Sequence, residues 1–163
     1  MNPITNLTAQ DQAWLKQAID LATENVQAGG GPFGAVLVSA DGLIATGQNQ
    51  VTRLNDPTAH AEVVAIRNAG QARGTFNLSG LTLYSSCEPC PMCMASALWA
   101  RVDRVVYAAD RHDAAAGGFD DLEFYEMFAR DRSTWGTPVE EAALEEKKEP
   151  FHAWLNNAAR IDY

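Results

Sequence analysis

Two cysteines close together and one distant histidine restrict the folds open to this chain. Cys90 and Cys93 lie in Pro89-Cys90-Pro91-Met92-Cys93, and His60 precedes Ala61-Glu62 well upstream. Pro91 marks a helix start, because the N–H that proline lacks has no intrahelical partner at a first position. Cysteines three apart on a first turn point the same way, and the positive end of the helix favours their thiolates. Thiolates at this spacing suit zinc, with His60 as a third, imidazole ligand. Three protein ligands leave a tetrahedral ion one open position, the mark of a catalytic site rather than a structural one. Glu62 lies two residues from His60, so on a helix the two side chains diverge. Glu62 is therefore read as an acid/base group reaching a water at the open position. The expectation is a zinc hydrolase.

Cys87 leaves two alternatives open. It lies three before Cys90, so a closed Cys3His structural site can be drawn, and Cys-x-x-Cys also serves thiol exchange. Three clustered cysteines, an odd number, argue against a secreted disulfide framework and for the cytoplasm. No apolar run reaches the ~20 residues of a membrane span, and the first residues lack a signal-peptide pattern. The net charge is −9, with 21 acidic and 12 basic side chains. That balance counts against a nucleic-acid partner, whose phosphates call for Lys and Arg. A length of 163 residues predicts one domain.

Along the chain, Thr8 and Asp11 form a capping signature for a helix carrying Leu15, Ala18, Ile19, Ala22 and Val26 down one face, ended by Gly29-Gly30-Gly31. Trp14 is read as core. Ala35 to Ser39 and Leu43 to Gln48 are strands joined by a turn with Asp41-Gly42, a hairpin signal. Asp56 and Pro57 predict a helix start, placing His60 and Glu62 in its first turns. Leu81 to Ser85 predicts a strand, Met92 to Trp99 a helix and Arg104 to Ala108 a further strand. The last two strands are expected to be parallel because a helix connects them. Asp110 to Asp121 reads as a loop before a helix from Leu122 to Ala129. Val139 to Lys148 is a charged edge or helix. Pro150-Phe151 opens a final amphipathic helix through Trp154, Leu155 and Ala158 to Tyr163. The class is α/β with a mixed sheet, and the zinc ligands converge at one sheet end.

His-x-Glu with Pro-Cys-x-x-Cys is the signature of zinc nucleobase deaminases. On it the chain resembles the cytidine-deaminase-like superfamily. Phe119-Asp120-Asp121 and the aromatic C-terminus make it similar to the bacterial guanine deaminases. The resemblance implies a three-layer α/β/α fold and hydrolysis of guanine, a small purine base, to xanthine and ammonia. It implies Zn2+ held by His60, Cys90 and Cys93, with Cys87 outside the ligand set. It implies Glu62 as proton shuttle and Asp121 as an additional one, with Asp120 as its fallback. For substrate it implies Asn49, whose amide can donate and accept, together with Phe33, Trp99, Ala61 and Tyr163. At Asn49 a plain turn former, and at Phe33 a core side chain, are the competing readings. The segment 150–163 is expected to swap in a homodimer and close the partner's site, against the alternative of docking on its own subunit. Rival substrates are a tRNA wobble adenosine, cytosine or an aminotriazine. The non-enzymatic rival is a zinc-stabilised interaction module with Cys87 as fourth ligand.

Overall fold

Thr8 caps α1 (Ala9–Gln27) as its signature predicts: the Asp11 N–H donates to the Thr8 hydroxyl at 3.0 Å and the Thr8 N–H to the Asp11 carboxylate at 3.0 Å. Both bonds satisfy donors that a helix start leaves unpaired. Asp11 is buried and also accepts from the Tyr84 hydroxyl and from Arg104 Nη1, each at 2.6 Å. The start of α1 is thereby fastened to the strands that carry Tyr84 and Arg104. The structure is a computed structural model and describes residues 7–163.

β1 (Gly34–Ser39) and β2 (Gly42–Gln48) form the predicted antiparallel hairpin. A single turn, α2 (Val51–Leu54), follows, and then α3 (Ala61–Arg73). The predicted helix start, with Asp56 as cap, is corrected by four residues. Asp56 Oδ1 accepts from the Thr58 N–H at 2.8 Å and from the Thr58 hydroxyl at 2.7 Å. That local turn competes with helix, so the N-cap passes to His60, whose backbone is extended (φ −67°, ψ 155°).

β3 (Thr82–Cys87), α4 (Pro91–Trp99) and β4 (Arg104–Ala109) form a strand–helix–strand crossover. The sheet order is β2-β1-β3-β4, with β1 antiparallel to both neighbours and β3 parallel to β4. Alternate residues of a strand face opposite sides. Ala35 and Leu37 of β1 therefore join a core with α3 and α4, while Val36 and Val38 pack with Leu15, Tyr84 and Val106 on the α1 side. Burial of β1 on both faces makes the domain the expected three-layer α/β/α sandwich. Trp14 packs against the α1-side core, as read from the sequence.

The segment after β4, expected to be a loop, is helical over α5 (Arg111–Ala116). Asp110 Oδ1 accepts from the His112 and Asp113 N–H groups at 2.8 and 3.0 Å, and Asp113 accepts from the Asp110 N–H at 2.9 Å. This second capping box precedes an alanine run of high helix propensity. α6 (Asp121–Phe128) follows.

The chain divides into two compact units, Met1–Tyr125 and Glu126–Tyr163. The second holds short 3-10 turns at Arg132–Thr134 and Glu145–Lys148 and the helix α7 (Glu149–Asn156). α7 stops short of the predicted end at Tyr163, because Asn157 turns out of helical geometry and its side chain accepts from the Ala159 N–H at 3.0 Å. Within this unit Trp154 and Tyr163 meet edge-on, with ring centroids 6.0 Å apart. Among the described residues no helix is long and apolar enough to cross a membrane.

Candidate active site

The starts of α3 and α4 meet at one end of the sheet. Packing of α3 against β2 is close because residue 47 has no side chain: a Cβ on Gly47 would lie 2.1 Å from the Ala61 carbonyl oxygen. That approach fixes the first turn of α3, where His60 is the N-cap and its carbonyl accepts from the Val64 N–H at 2.9 Å. Cys90 is the N-cap of α4, Pro91 its first residue, and Cys93 points inward from the first turn.

His60 Nδ1 lies 3.7 Å from Cys90 Sγ and 3.5 Å from Cys93 Sγ, and the three donor atoms all fall within 4.8 Å of one another. Ligands on a tetrahedral zinc, ~2.0–2.3 Å from the ion, are separated from each other by ~3.5–3.8 Å. The spacing fits the ion. So does the proton arrangement: Cys90 is drawn down to about 4, chiefly by its hydrogen bond with Cys93 and then by His60, against its burial. Cys93 is pushed the opposite way by the same bond with Cys90 and by burial. Two thiols sharing one proton beside an imidazole form a donor set that a divalent cation completes by displacing that proton.

Cys87 is buried outside this set, with its thiol donating to the Asp110 carbonyl at 3.6 Å. Burial, more than any neighbour, raises its pKa to about 12. Such a thiol is inert rather than nucleophilic.

A cavity of about 220 Å3 opens at His60 and Cys90, lined also by Phe33, Asn49, Glu62, Phe119 and Asp121. His60 stands in extended backbone as the N-cap rather than inside the helix, and Glu62 lines the same cavity beside it. Glu62 is buried, and Ser85 Oγ donates to its Oε1 at 3.2 Å. Desolvation raises the pKa of Glu62, and burial followed by the charge of Cys90 raises that of Asp121. Phe33 meets Phe119 edge-on at 4.8 Å, so it serves both core and cavity wall. Asn49 is buried and its Oδ1 accepts from the Val51 N–H at 3.3 Å, a turn bond that coexists with its place at the wall.

Two expected substrate contacts fall elsewhere. Trp99 is 63% exposed and absent from the cavity wall, with the Arg101 guanidinium 5.8 Å from its ring centroid. At 100° per residue it sits about 240° around α4 from Cys93, so it cannot share that inward face. Ala61 is fully buried and contacts β2 instead of the cavity. Tyr163 lies in the second unit.

Sequence reasoning did not single out Glu88, a buried member of the cavity wall. Glu88 Oε2 accepts from Arg111 Nε at 2.9 Å and from the Arg111 N–H at 3.1 Å, while Oε1 pairs with Arg111 Nη2. The Arg111 guanidinium in turn lies 3.4 Å from the centroid of the Tyr125 ring, and the Tyr125 hydroxyl donates to the Pro89 carbonyl. The cysteine loop and the α5–α6 segment that carries Phe119 and Asp121 are thus joined. The Asp110-x-x-Asp113 capping pattern was the available signal for α5, but nothing local marks Arg111 as its anchor.

Residues 8–109 match the family model of the cytidine and deoxycytidylate deaminase zinc-binding region. The chain is 48% identical over 153 residues to guanine deaminase of Bacillus subtilis (strain 168), covering 93% of this chain and 98% of that one. An X-ray structure of guanine deaminase from Bacillus subtilis superimposes with a TM-score of 0.90 at 47% identity, covering 96% of this chain and 99% of that chain. A tRNA-specific adenosine deaminase of Buchnera aphidicola subsp. Schizaphis graminum (strain Sg) is 37% identical over 110 residues, 68% of this chain and 73% of that one. With its His-Cys-Cys donor set, its mixed sheet and these relatives, the chain belongs to the zinc-binding cytidine and deoxycytidylate deaminase family.

Proposed function

We infer that this protein is a zinc-dependent hydrolase that deaminates guanine to xanthine and ammonia. The observation that carries the substrate is the extent of the likeness to guanine deaminase: a match over 93% of the chain includes most of the second unit. The match to a tRNA deaminase spans 68%. The net charge of −9 also favours a small base over a polyanion.

Zinc held by His60, Cys90 and Cys93 supplies a Lewis acid at the cavity floor. The chain's own groups move the protons. Glu62, oriented by Ser85, takes a proton from the water that adds to C2 of the base and delivers it to a ring nitrogen. Asp121, on the wall of the same cavity, relays the remaining proton of that water from the C2 hydroxyl to the departing amine, so that the C2–N bond breaks, ammonia leaves, the C2 carbonyl of xanthine remains and Asp121 is restored. The Asn49 amide reads the base edge and Phe33 packs against its face.

The segment 150–163 closes the site of a partner subunit in a swapped homodimer. Phe151, Leu155 and Tyr163 are exposed apolar side chains on and beyond α7, suited to such a role. The enzyme works in the cytoplasm, where three reduced cysteines are ordinary.

Ammonia release from guanine, adenine, cytosine, guanosine, an aminotriazine and a tRNA anticodon stem-loop, on protein with zinc quantified, tests the assignment. Release from guanine is the expected result; release from the stem-loop alone overturns the substrate and retains the metal chemistry.

A further inference from the structure

Asn25, in the last turn of α1, is completely buried yet does not line the cavity. A buried amide is costly unless its polar groups are bonded. Here Nδ2 donates to the carbonyl oxygens of Gly31 and Asn49, each at 2.8 Å, and Oδ1 accepts from Arg53 Nη2 at 3.2 Å. Gly31 and Asn49 both belong to the cavity wall.

The same two segments are also joined through Phe33, whose N–H donates to the Gly31 carbonyl at 2.8 Å and whose carbonyl accepts from the Asn49 N–H at 3.1 Å, and through the first β1–β2 pair, Gly34 with Gln48. The Asn25 amide therefore bridges the glycine turn and the end of β2 from behind, while their front faces border the cavity. Space for the bridge comes from Gly30: a Cβ there would lie 2.4 Å from Asn25 Nδ2. The spacing it sets reaches the Asn49 side chain, because a Cβ on Gly31 would lie 3.1 Å from Asn49 Oδ1.

We propose that Asn25 is a positioning residue for substrate recognition, holding Asn49 and the Gly31–Phe33 turn at the separation the base requires. It acts this way only where Asn49 and Phe33 contact the base, the role given them above. An asparagine is needed because both facing groups are carbonyls: two N–H donors on one nitrogen can serve them, and a carboxylate can serve neither.

The test is steady-state guanine deamination by zinc-replete Asn25→Asp, with Asn49→Ala as comparator and Arg53→Met as a second route. Arg53 is exposed, so its replacement removes the bond to Asn25 Oδ1 without opening the core. In Asn25→Asp the expected change is a KM raised about tenfold with kcat within about threefold and zinc at one per chain. In Arg53→Met, KM rises about twofold to threefold. A folded Asn25→Asp with unchanged KM overturns the proposal, as does a loss of kcat and zinc together, which marks a purely structural role. Should Asn25→Asp not fold, an unchanged KM in Arg53→Met overturns it equally. If Asn49→Ala leaves KM unchanged, the reading of the base contacts falls and Asn25 falls with it. If Asn49→Ala raises KM and Asn25→Asp does not, only the role of Asn25 is lost.

Discussion

Ser85 Oγ donates to Glu62 Oε1 at 3.2 Å, a bond between two buried side chains from neighbouring layers, the sheet and α3. It restrains one oxygen of a carboxyl group that lines the cavity, and so helps to position Glu62 as a proton carrier. Glu62→Gln is therefore expected to bind one zinc per chain and to lose at least ~10²-fold in kcat, the low end for a general base. Ser85→Ala, which removes this one bond and leaves the carboxyl in place, should lose about tenfold or less. Metal content by atomic absorption beside ammonia release separates the two effects.

Cys87 and Cys90 should respond oppositely to serine. Cys87 bonds a carbonyl away from the donor set, so Cys87→Ser retains zinc and most activity. Cys90→Ser removes a soft donor from a three-ligand site, and stoichiometric zinc should be lost on dialysis. Loss of zinc from Cys87→Ser instead would restore the closed four-ligand site.

Asp121→Asn keeps the N-terminal residue of α6 in shape but removes its proton. The expected outcome is a fall of ~10²-fold in kcat with KM changed by no more than about threefold. Equal activity of Asp121→Asn, with loss in Asp120→Asn, would pass the role to the neighbour.

Asp11 gives a stability prediction with a sign. Its carboxyl is held well below the usual carboxylate range, chiefly by Arg104, and next by the Tyr84 hydroxyl. A group with a lowered folded value stabilises above its unfolded pKa, and loses that contribution as pH falls through the folded one. Asp11→Asn should then cost about 2 kcal/mol near neutrality, or about 4–8 °C in Tm for a chain of this size. The gap to the wild type should narrow below about pH 4. Tyr84 is raised to about 12, by burial first and then by Asp11. Its contribution is present below the ordinary tyrosine value of ~10 and lost as pH rises toward the folded one. Thermal melts of both proteins across pH check each limb.

The sequence by itself carried everything that depends on neighbours in the chain. Thr8 with Asp11, Asp41-Gly42 and Cys90-Pro91-Met92-Cys93 each contain their own structural instruction, since caps, hairpin turns and i,i+3 pairs are settled within a few residues. The apolar run Ala35-Val36-Leu37-Val38 of β1 likewise announced a strand, and the fold covers both its faces. Tertiary structure decided what local patterns leave balanced. Asp56 had to choose between capping a helix and turning onto Thr58, and the turn it made placed His60 in extended backbone, where His60 and Glu62 share one cavity. Trp99 looked like a stacking partner until the rotation of α4 turned it outward. Asn25, Glu88 and Arg111 have no local signature because their partners lie far along the chain: Asn25 bonds residue 49 and Arg111 bonds residue 88. A buried polar group reveals its purpose only when its hydrogen-bond partners are known, and the fold alone supplies them.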